Sequence, residues 1–517
     1  MIKRYPRWVA VILLGCLPHL ALSQSIGLTA ETVQTRNGPD VLQYRGIRYA
    51  LPPTGSHRWT PPRAIAEIAQ LGDWPPACMQ DQGNTEWYAM VAAGVGGDPS
   101  LVPQTPEVSE DCLFLNIWTP ATPSEDPLPV MVWIHGGGNE GGWSFEPDYR
   151  GHELAAKGVV VVSIAYRLGI FGFLAHPQLT KESVHSSSGN YGLLDQIEAL
   201  GWVKRHIQSV GGDSSNITIF GESAGAGNIG YLLATPMADG LFHKAIMQSG
   251  GWAMTQQRTL ADDEQEGLAL TQKAGITLQE MRQLPGAALL RLQQERYERG
   301  YDDPPIDQWL LAQAPAELMK RDSLPQRPVL LGTNADEALM YIEAPTPQDW
   351  ADAVEPYSPE TRAWLDQGLG GLTLRQRLNA LGSAISYQCP TLATADALYR
   401  AGSSAYVYRF DRVRSSAQAI GAYHGAEIPY VFGTHDRWLT TETQDWALTQ
   451  SIMDMWVAFA QVGAPAPTAT WPRWDEDALA LSLNAMLAVF PVDTTLCSKL
   501  GFDINERRLP VSSALVE

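Results

Sequence analysis

The chain of 517 residues is 45% hydrophobic and 18% charged, a balance that supports a large buried core and excludes both intrinsic disorder and small disulfide-stapled scaffolds. Its formal net charge of −20 repels phosphate backbones and anionic lipid surfaces, so no nucleic-acid partner is expected. At roughly 150 residues per domain the length allows about three domains, but no linker, internal repeat or low-complexity tract divides it, and one unit over 24–517 is expected.

The N-terminus carries a basic patch (Lys3, Arg4, Arg7), an apolar stretch from Trp8 to Leu22, and small residues at Ala21 and Ser23 suited to cleavage before Gln24. This predicts a signal peptide over 1–23 and a secreted or periplasmic protein. A lipoprotein anchored at Cys16 is the alternative, but Leu14 fits that pattern poorly and no polar tether follows. The stretch is short and holds Pro18 and His19, and no later segment reaches the roughly 18 apolar residues of a spanning helix, so no transmembrane segment is expected. Four cysteines remain after the leader: Cys78, Cys112, Cys389 and Cys497. An even, sparse set in an exported chain predicts two disulfides, in one of three connectivities. Without a Cys-x-x-Cys pair or a Cys/His cluster, no metal site is expected.

From 25 to about 129 the chain is rich in Pro, Gly and Trp, with a strand-like run at 113–118. Short runs, most of them β-branched or wholly apolar, then recur at 130–134, 159–164, 217–220, 245–247, 329–331 and 405–408, the pattern of strands covered on both faces. Helical stretches such as 193–207 and 226–233 lie between them. This alternation predicts an α/β fold with a parallel sheet and right-handed crossovers. Two segments interrupt it, 255–322 and 345–398. Both read as helical insertions over the sheet's carboxyl edge, and Thr277 and Glu280 are spaced as a capping box.

Gly221-Glu222-Ser223-Ala224-Gly225 joins the strand at 217–220 to a helix. A nucleophilic serine on such a tight turn needs small neighbours, which Gly221 and Gly225 supply. After the strand at 130–134 comes His135-Gly136-Gly137-Gly138, a run whose backbone N–H groups can converge on one oxyanion. Gly137, Gly138 and Ala224 are the expected donors. The loop lacks the Lys-Ser/Thr of a phosphate-binding loop. In a serine hydrolase of this build the acid follows the serine and the histidine follows the acid. Only His424 and His435 lie far enough downstream among ten histidines. His424 sits in a glycine-flanked loop, whereas His435 reads as part of a surface turn. The acid should follow the strand at 329–331, where spacing leaves Asp336 and Glu337 equal candidates. Trp87, Tyr88, Trp143, Trp252 and Tyr341 lie near these motifs and are candidates for a gorge wall.

These motifs, with GIRYALPPTG (46–55), EDCLFLNIW (110–118), YRLGIFGFL (166–174), GNYGLLDQ (189–196), GGDSSNITIFGESAG (211–225) and AYHGAEIPYVFG (422–433), resemble the type-B carboxylesterases. That family includes cholinesterases and bacterial para-nitrobenzyl esterases, and the likeness runs from about 46 to 497. It implies an α/β-hydrolase fold and a triad of Ser223, Glu337 and His424, because the family's acid is the Glu of a similar Asp-Glu pair. Ala338 stands where the family has Gly. The resemblance also implies disulfides Cys78–Cys112 and Cys389–Cys497. The expected activity is hydrolysis of small-molecule carboxylic esters through an acyl-enzyme, with no cofactor. The alternatives are a specialised esterase for a bulky natural or synthetic ester, and a non-catalytic adhesion protein on the same fold.

Overall fold

Alternate side chains of a strand face opposite sides, so a sheet covered on both faces needs apolar residues at every position. In the strand Leu128–Ile134, Val130, Val132 and Ile134 enter one apolar core while Met131 and Trp133 enter the other. The same split recurs in Lys244–Gln248, where Ala245 and Met247 face one core and Ile246 faces the other. The computed structural model describes residues 27–296, 300–301, 303–435, 437–466 and 470–504. The expected leader, with Cys16, lies outside them.

Among the described residues twelve strands form the central sheet: β1 (Glu31–Val33), β2 (Val41–Ala50), β3 (Ala64–Gln70), β4 (Phe114–Pro120), β5 (Leu128–Ile134), β6 (Val160–Ile164), β7 (Gly212–Glu222), β8 (Lys244–Gln248), β9 (Val329–Asn334), β10 (Ala405–Phe410), β11 (Leu479–Leu483) and β12 (Ala488–Pro491). Their order is β1-β2-β4-β6-β5-β7-β8-β9-β10-β11-β12, with β3 paired to β2. The centre, from β6 to β11, is parallel as expected. Both edges are antiparallel, which the apolar runs did not foretell. Most helices flank the sheet, among them α1 (Gly83–Gly94), α2 (Tyr191–His206), α3 (Ala224–Ala234) and α4 (Thr443–Val462).

Register brings the functional strand ends level. Ile134 of β5 pairs with Gly221 of β7, Gln248 of β8 pairs with Glu222, and Gln248 also pairs with Gly332 of β9. The interrupting segments are helical, as expected, and Thr277 with Glu280 forms the anticipated capping box. A π-helical turn, Ala384–Gln388, joins two helices of the second insertion. Two disulfides, Cys78–Cys112 and Cys389–Cys497, tie the N-terminal region and this insertion, in the connectivity expected. Among the described residues no helix is long and apolar enough to cross a membrane.

Candidate active site

Ser223 links β7 to α3 at φ 55° and ψ −128°, a left-handed backbone that costs a non-glycine residue about 1–3 kcal/mol. Its N–H donates to the Gln248 carbonyl at 2.9 Å, and its carbonyl accepts from the Gly227 N–H at 2.9 Å. The flanking glycines are demanded by the end of β5. A Cβ on Gly225 would lie 2.1 Å from the Ile134 carbonyl oxygen, and one on Gly221 would lie 2.6 Å from the same atom. The turn therefore requires small residues on both sides of the serine.

The glycine loop leaves β5 with Gly137 and Gly138 in the left-handed region, at φ 94° and 64°. The Gly137 carbonyl accepts from the N–H groups of Glu140 and Gly141, closing the loop on itself. His135 beside it is buried, stacks on Tyr166 at 4.6 Å between centroids, and has its Nδ1 3.0 Å from the Gly136 carbonyl. Burial pushes its pKa down to about 4. It is a neutral packing group.

Three separate strand ends then converge. His424 Nε2 lies 2.9 Å from Ser223 Oγ, and His424 Nδ1 lies 2.6 Å from Glu337 Oε2. Glu337 is fully buried, and its other oxygen accepts from Ser249 Oγ at 2.5 Å and the Asn334 N–H at 2.7 Å. Those donors fix the carboxylate in place. Asp336, the rival acid, faces the same loop from another side. It accepts from the Ala422 N–H at 3.0 Å and from Asn379 Nδ2 at 2.8 Å, so it ties the histidine loop to the second insertion. His435 is no surface residue. It is half-buried between Tyr430 and Trp446, receives a hydrogen bond from Arg414, and has its pKa pushed down to about 3 by burial and that arginine. The apolar packing of α4 draws it inward, which a polar local sequence conceals.

A second carboxyl reaches the histidine. Glu222 Oε1 lies 3.3 Å from His424 Nε2 and is buried. Burial pushes the Glu222 pKa up to about 8, against the pull of His424 and with the help of Glu427 and Glu337. Burial also opposes the His424 cation, but Tyr387, Glu222 and Glu337 outweigh it and hold the imidazole well above its usual value. Sequence reasoning missed Ser249, Glu427 and Tyr387. Ser249 had a signal, since Ser249-Gly250-Gly251 follows β8 as the other site loops follow their strands. Glu427 accepts from Gln248 and Asn334 beneath the site. Tyr387 comes from the π-helical turn and sets its ring 4.9 Å from that of His424.

Above these groups opens a cavity of about 910 Å³, lined by Ser223, His424 and the three glycines together with Trp87, Tyr88, Trp252, Tyr341 and Tyr387. Four of the five aromatic candidates thus line it. Trp143 does not; it is buried with Phe145 in a separate small core. Among the described lining residues there is no lysine or arginine, whereas Asp81, Glu140, Glu146, Glu222 and Asp303 contribute carboxyl groups. No three His, Cys, Asp or Glu side chains among the described residues are grouped to hold a metal ion.

A mainly parallel sheet between helices, with serine, histidine and carboxylate gathered at its carboxyl edge, defines an α/β-hydrolase. The chain belongs to the carboxylesterase family, whose sequence model matches residues 27–488. It is 34% identical over 468 residues to the fumonisin B1 esterase of Sphingopyxis macrogoltabida, covering 84% of this chain and 82% of that one. It is also 34% identical over 486 residues to the para-nitrobenzyl esterase of Bacillus subtilis, covering 89% and 94%. Among solved structures, a thermophilic PNB esterase superposes with a TM-score of 0.75 at 30% identity, over 90% of this chain and 97% of that one. A further PNB esterase gives 0.74 at the same identity. The protein is a carboxylic ester hydrolase.

Proposed function

We propose that this enzyme is exported and hydrolyses small-molecule carboxylic esters through a Ser223-His424-Glu337 triad and an acyl-enzyme. The observation that carries the reading is the unbroken chain of contacts from Ser223 Oγ through both nitrogens of His424 to Glu337, at 2.9 and 2.6 Å. In this reading Ser223 Oγ attacks the ester carbonyl while His424 Nε2 takes its proton. Glu337 holds Nδ1–H and stabilises the imidazolium. The N–H groups of Gly137, Gly138 and Ala224 receive the oxyanion. His424 then protonates the leaving alcohol, and water attacks the acyl-enzyme by the same route. Export rests on the leader and on the two disulfides, which belong to an oxidising compartment. The cavity lies near the top of the usual range of about 300–1,000 Å³, which favours esters of some bulk. Asp81, Glu140 and Asp303 in its wall, with no lysine or arginine among the described lining residues, favour substrates without negative charge.

Turnover of neutral p-nitrophenyl esters of increasing acyl length tests the reading. Activity should reach the longer esters, and Ser223→Ala should lower it on the order of 10⁶-fold. A fluorophosphonate should label Ser223, located by peptide mass spectrometry. Labelling of another serine, or an Ala variant with near-normal turnover, would rule out this mechanism. From an exporting host the intact mass should begin at Gln24 with the four remaining cysteines oxidised. A retained leader or free thiols would remove the export reading and leave the chemistry standing.

A further inference from the structure

The proposed oxyanion hole is assembled from two parts of the chain that lie just beyond the last pair of the β5–β7 ladder, Ile134 with Gly221. Gly137 and Gly138 lie in the loop after β5, while Ala224 opens α3. Two buried amides bridge them. Asn139 follows Gly138 directly, and Asn228 stands four residues after Ala224, on the same face of α3. Both are 0% exposed. Asn228 Nδ2 donates to Asn139 Oδ1 at 2.8 Å, and Asn139 Nδ2 donates back to Asn228 Oδ1 at 3.4 Å and to the Tyr301 carbonyl at 3.1 Å. The Asn139 backbone is in the left-handed region at φ 55°, and its carbonyl accepts the Gly169 N–H at 2.6 Å.

We infer that Asn139 and Asn228 are positioning residues that set the distance between the glycine loop and the nucleophile helix, and through it the geometry of the oxyanion hole. The inference rests on the serine-esterase reading above. Apolar packing at this junction would exclude water equally well, but it is non-directional and lets the loop slide. Paired amides are directional, and each would be a costly orphan without the other. A loop that ends in oxyanion donors needs such directionality, since a displacement of about 1 Å can cost on the order of 10²-fold in rate. Asn139 also occupies a backbone conformation natural to glycine, so its side chain is kept there against a conformational cost.

That cost supplies a clean test. Asn139→Gly removes the latch while suiting φ 55°, and Asn228→Ala removes it from the other side. Three quantities are measured well below the unfolding temperature: kcat, KM, and the inhibition constant of an aryl trifluoromethyl ketone. Ser223 Oγ adds to the ketone carbon, the carbonyl electron pair moves onto oxygen, and His424 takes the proton, so the adduct's oxyanion probes the hole. Each variant should lose about 10- to 100-fold in kcat, by the displacement cost above, with KM within threefold. Ketone affinity should weaken in parallel, and the double variant should be little worse than either single one. If both single variants keep kcat and ketone affinity within twofold, or change KM alone, the inference is overturned whatever the melting temperatures. If the parent enzyme neither binds the ketone nor carries fluorophosphonate on Ser223, the underlying reading has failed instead.

Discussion

The sheet's carboxyl edge and the helices laid over it are built by different physics. At the edge, Ser223, Glu337 and His424 follow β7, β9 and β10, and their spacing descends from strand register across buried pairs such as Gln248 with Glu222 and Gly332. The overlying insertions rely on local devices instead. Capping boxes at Thr259, Thr277, Thr346 and Thr373 start their helices, and a small satellite core of Trp350, Val354, Leu365 and Leu381 packs the second one. Non-local register resists small shifts, because a strand cannot slip by one residue without reversing its faces. Local caps are worth about 1 kcal/mol each and tolerate rearrangement. The proposed triad thus sits on the part that cannot drift, while the part that can supplies a portion of the cavity wall, Asp303 and Tyr387.

The largest effect expected from breaking this arrangement lies at the edge. Glu337→Gln keeps the volume but loses the charge that holds Nδ1–H, and turnover should fall from several hundred-fold to about 10⁴-fold. Asp336→Asn keeps one acceptor oxygen for Ala422 or Asn379 and should cost less than about tenfold in kcat, with roughly 1–2 kcal/mol lost in stability, since one hydrogen bond goes. Steady-state kinetics at matched distance from each melting temperature decides it. A severe loss in the Asn variant beside a mild one in the Gln variant would move the acid by one residue.

Breaking the insertion's covalent tie should change stability and leave chemistry alone. Cys389 and Cys497 are 108 residues apart, and in the chain-entropy model a loop that long adds about 5 kcal/mol. A Cys389→Ser, Cys497→Ser double variant should melt at lower temperature yet keep its kcat on a small ester in the cold. Loss of kcat without loss of stability would show that the second insertion steers the triad after all.

A subtler test concerns the carboxyl at the interface of the two regions. With Glu222→Gln, one of the groups holding the His424 cation disappears, so the acid limb of kcat/KM should move to lower pH. Stability gives an independent sign. The Glu222 pKa rises from 4.5 unfolded to about 8 folded, so the folded state holds the extra proton between those values. Its stabilising contribution is full below 4.5 and is lost as pH rises through about 8. Melting temperatures of the Gln variant should fall less steeply across that window than those of the parent. An unmoved acid limb with identical melting curves would detach Glu222 from the histidine.

What was legible in the sequence follows the same division. The central strands could be read because both their faces are covered, which makes each a short apolar run; β5 and β9 are examples. β2 and β12 could not, since β2 mixes Gln43, Arg45 and Arg48 among its apolar residues and β12 is largely exposed. Ser223 and His424 were readable from glycine-flanked turns, a local requirement. Spacing alone did not separate Asp336 from Glu337, and only the family resemblance chose Glu337; both carboxylates reach the histidine loop, one at its backbone and one at its ring. Tyr387 was out of reach for a related reason: the π-helical turn breaks the helical phase by which its direction would have been read.

The size of the cavity bears on how this enzyme is assayed. A p-nitrophenyl acetate molecule is small against a space of about 910 Å³. So small a reporter cannot touch the whole wall at once, and two variants differing only where it makes no contact would look identical with it. Screening aimed at selectivity therefore needs an ester long enough to touch Trp87 and Tyr341, whose side chains meet through a 3.3 Å hydrogen bond.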